Sequence, residues 1–284
     1  MSDAFEKAEQ TPWLAGQRVR LYNPTVAVLS LLVPTLAAVP VVLEDPLRLW
    51  PIAFLFLGVA VAGLVALGRR ATRGLRLNNG AVALMMRGED LGAANAFRAA
   101  VHGFFGRDIV GMSLSNLGVL ALRALDLPSA IALQRAAIAA GRGFRFRSQP
   151  SLATDLARVQ LAFALAANGQ GADLDEAAAL ACATEEAASP LAMALAVRAR
   201  AMIAAKRGRF DEVLAIFDGD RALLRNVLPL NDAVLVDALE SYALGRLGST
   251  YRGGARAPHP VLADEPARAY VKRTMPAAES VLVS

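Results

Sequence analysis

The chain has 284 residues, with 30 Lys+Arg against 25 Asp+Glu for a formal net charge of +5, one cysteine and two histidines. It is 55% hydrophobic and 19% charged, with a mean hydropathy of +0.40, whereas a soluble domain is about 45–50% apolar and about 25% charged. These values exclude a disulfide scaffold, a thiolate metal cluster and a collagen-like or wholly disordered chain, and they point to contact with lipid.

Lys7, Lys206 and Lys272 are the only lysines. The preference for arginine, beside a high alanine content, is the mark of a GC-rich bacterial genome. A charge of +5 spread over 284 residues is a weak field beside a true nucleic-acid-binding patch.

Residues 1–23 read as a polar N-terminal tail. From Pro24 to Leu43 follow 20 residues without a charge, about the length a 30 Å hydrocarbon layer demands of a helix. Pro34 and Pro40 interrupt this run, so a kinked span is expected, since bilayer helices tolerate such breaks when neighbours satisfy the freed carbonyls. Leu49 to Gly68 is a second uncharged run of 20, with Trp50 at its interfacial end and Gly58, Ala60 and Gly63 as small packing positions. Between the runs lies the short polar turn Glu44 to Arg48. The expectation is a transmembrane helical hairpin over residues 24–68. A cleaved signal peptide fits less well, because a long polar stretch precedes the first run and a second run follows it. Burial in a soluble core fits poorly as well, since neither run has a polar face.

Arg18 and Arg20 precede the hairpin, and Arg69, Arg70, Arg73 and Arg76 follow it, while the connecting turn carries net negative charge. The positive-inside rule then places both termini and everything after residue 68 on the cytoplasmic side of the bacterial inner membrane. Arg69, Arg70 and Arg73 are also candidates for lipid or partner contact, each such headgroup contact being worth about 1 kcal/mol.

Past Arg76 the apolar pattern turns helical, with Gly, Asp or Pro breaks every 10 to 20 residues and almost no β-branched runs, an all-α pattern. Aligning the breaks shows an internal repeat. The small residues Ala81, Gly118, Ala162, Ala201 and Ser241 recur at spacings of 37, 44, 39 and 40. Segments such as RGEDLGAANAFRAAV (87–101) and KRGRFDEVLAIF (206–217) carry a Gly-centred turn, then small residues around an aromatic. This resembles the tetratricopeptide repeat, with a period longer than that family's usual length of about 34 residues. The resemblance covers residues 74–248 and implies an α-solenoid of about four helical hairpins plus a closing helix. It further implies a groove in which amide side chains grip an extended peptide. The matching positions are Asn79, Asn116 and Gln160, and Arg123 and Lys206 stand farther along the same helices, where they would meet an acidic or carboxylate end. The alternative role for the amides is to cap helices or brace neighbouring repeats. Ala199 breaks the amide series in the fourth repeat.

Residues 249–284, with four prolines and Gly253-Gly254, read as a flexible tail holding a short helix near DEPARAYVKR (264–273), and the terminal SVLVS (280–284) as a frayed end, with strand addition to a partner as the alternative. The loop GRGFRFRSQP (141–150) interleaves Arg142, Arg145 and Arg147 with Phe144 and Phe146. It is read as a structural loop, with lipid or partner contact as the functional alternative and nucleic acid a distant third.

Catalytic chemistry is poorly provided for. No zinc-protease, phosphate-loop or nucleophile-elbow motif occurs, and His102 and His259 lie far apart. Cys182 is expected to be a buried small hydrophobe. Asp211-Glu212 and Glu185-Glu186 are adjacent pairs whose side chains diverge on a helix. The reading is a non-enzyme with no metal and no cofactor. It is a membrane-anchored scaffold or adaptor recruiting a protein partner through its groove, with an accessory subunit of a larger membrane complex as the alternative.

Overall fold

The computed structural model describes residues 2–19, 21, 30, 33, 46–103, 106–141, 152–169, 171–183, 189–248 and 258–283; side chains at 2, 46–53, 56, 152–153 and 225 lie outside the description. The described chain is almost entirely helical. The expected first membrane run, Pro24 to Leu43, lies outside these residues apart from positions 30 and 33.

Four helical hairpins follow one another along the chain. They pair α2 (Pro46–Met86) with α3 (Asp90–His102), α4 (Arg107–Arg123) with α5 (Leu127–Gly141), α6 (Leu152–Asn168) with α7 (Gly171–Cys182), and α8 (Pro190–Lys206) with α9 (Phe210–Val227). Then comes α10 (Leu230–Leu247). Each first helix packs on its own second helix and on a neighbouring hairpin, as α6 does on α5, α7 and α8. This is the stacking by which amphipathic hairpins bury a continuous core.

The turns explain the sequence period. Gly88, Leu125, Gly169, Gly208 and Gly248 all take positive φ, between 55° and 78°. Their spacings are again 37, 44, 39 and 40, so each small residue of the sequence repeat stands seven positions before a left-handed residue. In three turns the amide three residues past the helix reaches back five positions, from Glu89 to Leu84, Asp126 to Ala121 and Arg209 to Ala204, at 2.9–3.0 Å. Such back-bonds cap the last carbonyls and fix the reversal. Leu125 does this without glycine's freedom, a strain its neighbours must hold.

The repeat positions are core. Ala81, Ala162, Ala201 and Ser241 are fully buried, as are Ala93 and Phe97 of α3. At Gly118 a Cβ would lie 2.6 Å from the amide nitrogen of Gln134, which is itself fully buried and bonded to the Ser115 hydroxyl and carbonyl at 3.0 Å each. The close approach of α4 to α5 therefore requires glycine there.

Three boundaries differ from the sequence reading. First, no break separates the second greasy run from the repeats: α2 runs unbroken for 41 residues, through the arginines and into the first hairpin. No proline occurs between Gly68 and Met86 to stop it. Second, the N-terminal residues are docked. Helix α1 (Ser2–Glu9) packs on α5, Ala8 and Leu14 are fully buried, and Trp13 donates to Asp126.

Third, the expected tail is held from Pro258 onward. The Ser241 hydroxyl donates to the His259 carbonyl at 2.6 Å and accepts its N–H at 2.9 Å. Strand β1 (Val261–Leu262) pairs in parallel with β2 (Leu282–Val283), so the terminal SVLVS finds its strand partner within this chain. Between them lie α11 (Glu265–Thr274) and a 3-10 turn, Pro276–Val281. Asp264 caps α11 by accepting from the Ala267 amide at 3.0 Å.

Among the described residues no helix is long and apolar enough to cross a membrane, so the expected transmembrane hairpin finds no support in them. What α2 does display is an apolar surface. Phe54, Leu55, Leu57, Val59, Val61, Leu64 and Val65 are each 39–67% exposed. At 100° per residue they span an arc of about 220°, wider than the stripe of about 100° that a helix buries against a soluble core.

Candidate functional site: a polar ladder on the inner face

The face of each first helix that points away from its second helix is the inner face of the stack. On α4, Gly118 abuts Gln134 of α5. Asn116, two residues earlier, therefore stands about 200° around the helix on the opposite side.

The structure links the amides expected at this face to their neighbours. The Asn116 amide and the Ser113 hydroxyl donate to Oδ1 of Asn78, at 3.4 and 3.1 Å. Asn78 is buried and Asn79 exposed, so the side chain at this rung is one residue before the expected one. The same one-residue correction falls in the fourth repeat, where Arg198 stands beside Ala199. Arg198 donates through one nitrogen to Oε1 of Gln160 at 3.0 Å and through the other to Asp232. The Tyr270 hydroxyl of α11 donates to the same carboxylate at 2.7 Å. One run of bonds thus passes through α6, α8, α10 and α11.

Arg198 is 1% exposed. Its guanidinium carbon lies 3.7 Å from the ring centroid of Phe163, and Phe163 stacks on Tyr270 at 6.2 Å and 22°. A guanidinium this deep is tolerable only when paired and hydrogen-bonded; Asp232, Gln160 and the ring face supply that. Its Nε has no hydrogen-bond partner among the described residues. Burial, the Asp232 charge and the bond to it raise the Tyr270 phenol well above its usual 10.0, the Arg198 charge opposing.

The two cations expected to meet an acidic peptide are engaged in helix capping. Arg123 donates to the Met85 carbonyl at 3.1 Å and pairs with Asp90. Lys206 donates to the Ala167 carbonyl at 3.3 Å, and burial lowers its pKa. Each covers the negative end of the preceding repeat's first helix, where a cation is favoured. Arg70 does the same for α3 through the Gly103 carbonyl at 3.2 Å. Arg69 and Arg73 are exposed on α2 and, with Arg76, line a shallow groove that also includes Val65 and Thr72. Arg142, Arg145 and Arg147 lie outside the described residues, as does the Glu185-Glu186 pair.

Cys182 is exposed, not buried, because it ends α7 one position past the buried Ala181. His102 and His259 are both exposed, on α3 and at the start of the C-terminal segment. Among the described residues no three His, Cys, Asp or Glu side chains gather to hold a metal ion.

Sequence reasoning missed Asn78, Arg198, Asp232 and Tyr270. The signal was present in the spacing, since Asn116, Arg198 and Tyr270 each stand 38 positions after the rung residue they bond. The pair Arg198 and Arg200 inside the otherwise apolar LAMALAVRARAMIAA (191–205) was the second sign. Compared with known proteins, the chain matches no family model, no curated protein and no solved structure. The tetratricopeptide resemblance accordingly stands on the chain's own motifs.

Proposed function

We propose that this protein is a non-catalytic scaffold of the tetratricopeptide kind, anchored in the bacterial inner membrane, that recruits a protein partner to the cytoplasmic face. The observation that carries the reading is the exposed apolar arc of α2, with Arg69, Arg73 and Arg76 next along the same helix. Lipid is the solvent in which such an arc is satisfied, and the arginines match the anionic headgroup layer.

The docked N-terminus adds a constraint. Residues before the first greasy run are bonded to the solenoid, and the chain after the second run is the solenoid. Any crossings in between are therefore even in number, as a two-span hairpin requires. Because α2 continues into the first hairpin, the anchor would also hold the repeats at a set orientation. Anchoring raises a partner's effective concentration at the groove, so modest affinity suffices. The inner face near Asn79 and Asn116 is the surface assigned to that partner.

The test is to place charge in the arc. Leu57→Arg with Val61→Arg alters two exposed side chains and leaves the hairpin core untouched. In lipid each arginine costs about 2.5–3.5 kcal/mol at the centre of a span. The wild-type chain should remain in alkali-washed membranes and the double variant should appear in the soluble fraction. Retention of the double variant with the membranes would contradict the anchor.

A further inference from the structure

We propose that the inner face of hairpin α6/α7, hairpin α8/α9 and helix α10 is a binding site for a short amphipathic helix bearing a phenol, with α11 as its resident and exchangeable ligand. The inference rests on reading the inner face as the partner groove, and it adds that half of that groove is occupied by the chain itself.

The buried residues of α11 are Ala267, Tyr270, Val271 and Thr274. They fall at i, i+3, i+4 and i+7, the anchor pattern of a helix laid into a groove. The first helix α8 is embedded far more deeply, with buried residues on all its sides from Ala192 to Ala205. Helix α11 packs on α10 and reaches α6, both first helices, and its phenol bonds Asp232 while its ring lies on Phe163. It thus lies across the inner face and is not the outer half of a fifth hairpin.

The receptor side stands without it. Gln160 and Asp232 each bond Arg198 directly, and Phe163 covers the guanidinium from its own helix α6. Departure of α11 would leave no buried charge unpaired. Arg198 Nε, without a hydrogen-bond partner among the described residues while α11 is docked, offers an incoming helix with an acceptor group one bond more than Tyr270 makes. The partner chemistry is therefore an amphipathic helix with a tyrosine and a nearby carboxylate or amide oxygen.

The probe is a fluorescent synthetic peptide of residues 258–283, titrated into the full-length chain in mild detergent and followed by anisotropy. In the wild type the tethered α11 competes at an effective concentration near millimolar, so micromolar peptide should not bind. Full-length Tyr270→Ala should bind the peptide at least about ten-fold more tightly than wild type does, with Tyr270→Phe between the two. A peptide carrying Tyr270→Ala should bind neither. Equal affinity for wild type and Tyr270→Ala, or no binding to either, overturns the proposal. If Tyr270→Ala fails to fold, hydrogen exchange on the wild type decides. Helix α11 should open while α10 stays protected, and matched protection of the two helices overturns exchangeability. Since the probe is the chain's own segment, the result is independent of where the protein fractionates.

Discussion

The Trp13 indole donates at 3.0 Å to Oδ2 of Asp126, a residue 113 positions away. The other carboxylate oxygen accepts from the Ser129 amide at the start of α5. One side chain therefore caps a repeat helix and holds the N-terminus against the outer, second-helix side of the stack. Arg98 reinforces this by donating to the Trp13 carbonyl. Trp13→Phe keeps an aromatic ring, smaller than the indole, and loses the bond, for a cost from the bond of about 0.5–1.5 kcal/mol in denaturant unfolding. Asp126→Ala should cost more, because the cap is lost too, at about 1 kcal/mol. Equal costs for the two variants would contradict the shared role of the carboxylate.

Gly118→Ala tests the close crossing of α4 and α5. The added methyl would displace the Gln134 amide and break its two bonds to Ser115. A loss of about 1–3 kcal/mol is expected. Adding Gln134→Ala removes the clash, so the double variant should be less destabilised than the sum of the singles. Simple additivity in the denaturation cycle would show the two positions to be independent.

The buried ion pair predicts an asymmetry. Asp232→Ala leaves Arg198 charged, buried and uncompensated, at a cost of about 3–5 kcal/mol. Arg198→Met combined with Asp232→Leu removes both charges and should recover most of that loss. Thermal unfolding of the two variants side by side measures it, and a double variant as unstable as Asp232→Ala would refute the pairing.

Tyr270 gives a pH prediction whose sign follows from its raised pKa. The folded chain keeps the phenol proton at pH values where the unfolded chain loses it. Its contribution is complete below about pH 10 and falls away as the pH rises through the folded value. The absorbance difference at 295 nm between wild type and Tyr270→Phe should stay near zero at pH 10 in the folded chain. A difference equal to half a tyrosinate would mean that the phenol is free.

The repeat was legible in the sequence because it follows from local chemistry. Small residues and turn positions recur at the same four spacings in chain and structure. The inner rungs were legible in kind but not in register: Asn116 and Gln160 are ladder residues, whereas Asn78 and Arg198 sit one position from those expected. An alignment on small residues fixes where helices cross and leaves a rotation of about 100° per residue undecided on the inner face. Arg123 and Lys206 were visible as cations, but capping of a helix some 40 positions earlier is a tertiary fact. The docked ends were illegible for a related reason. Helices α1 and α11 are short, 8 and 10 residues, so their stability comes from a surface that the sequence does not display. Cys182 was misassigned because one residue at a helix end separates buried from exposed.

The most direct test of the account uses the native thiol. Cys182 is the chain's only cysteine, it is exposed, and it lies in the repeat region assigned to the cytoplasm. A membrane-impermeant maleimide applied to sealed cells should leave it unlabelled, and should label it fully in inverted membrane vesicles. Labelling from outside sealed cells, or recovery of Cys182 in a detergent-free soluble fraction, would contradict a scaffold held at the inner face of the membrane.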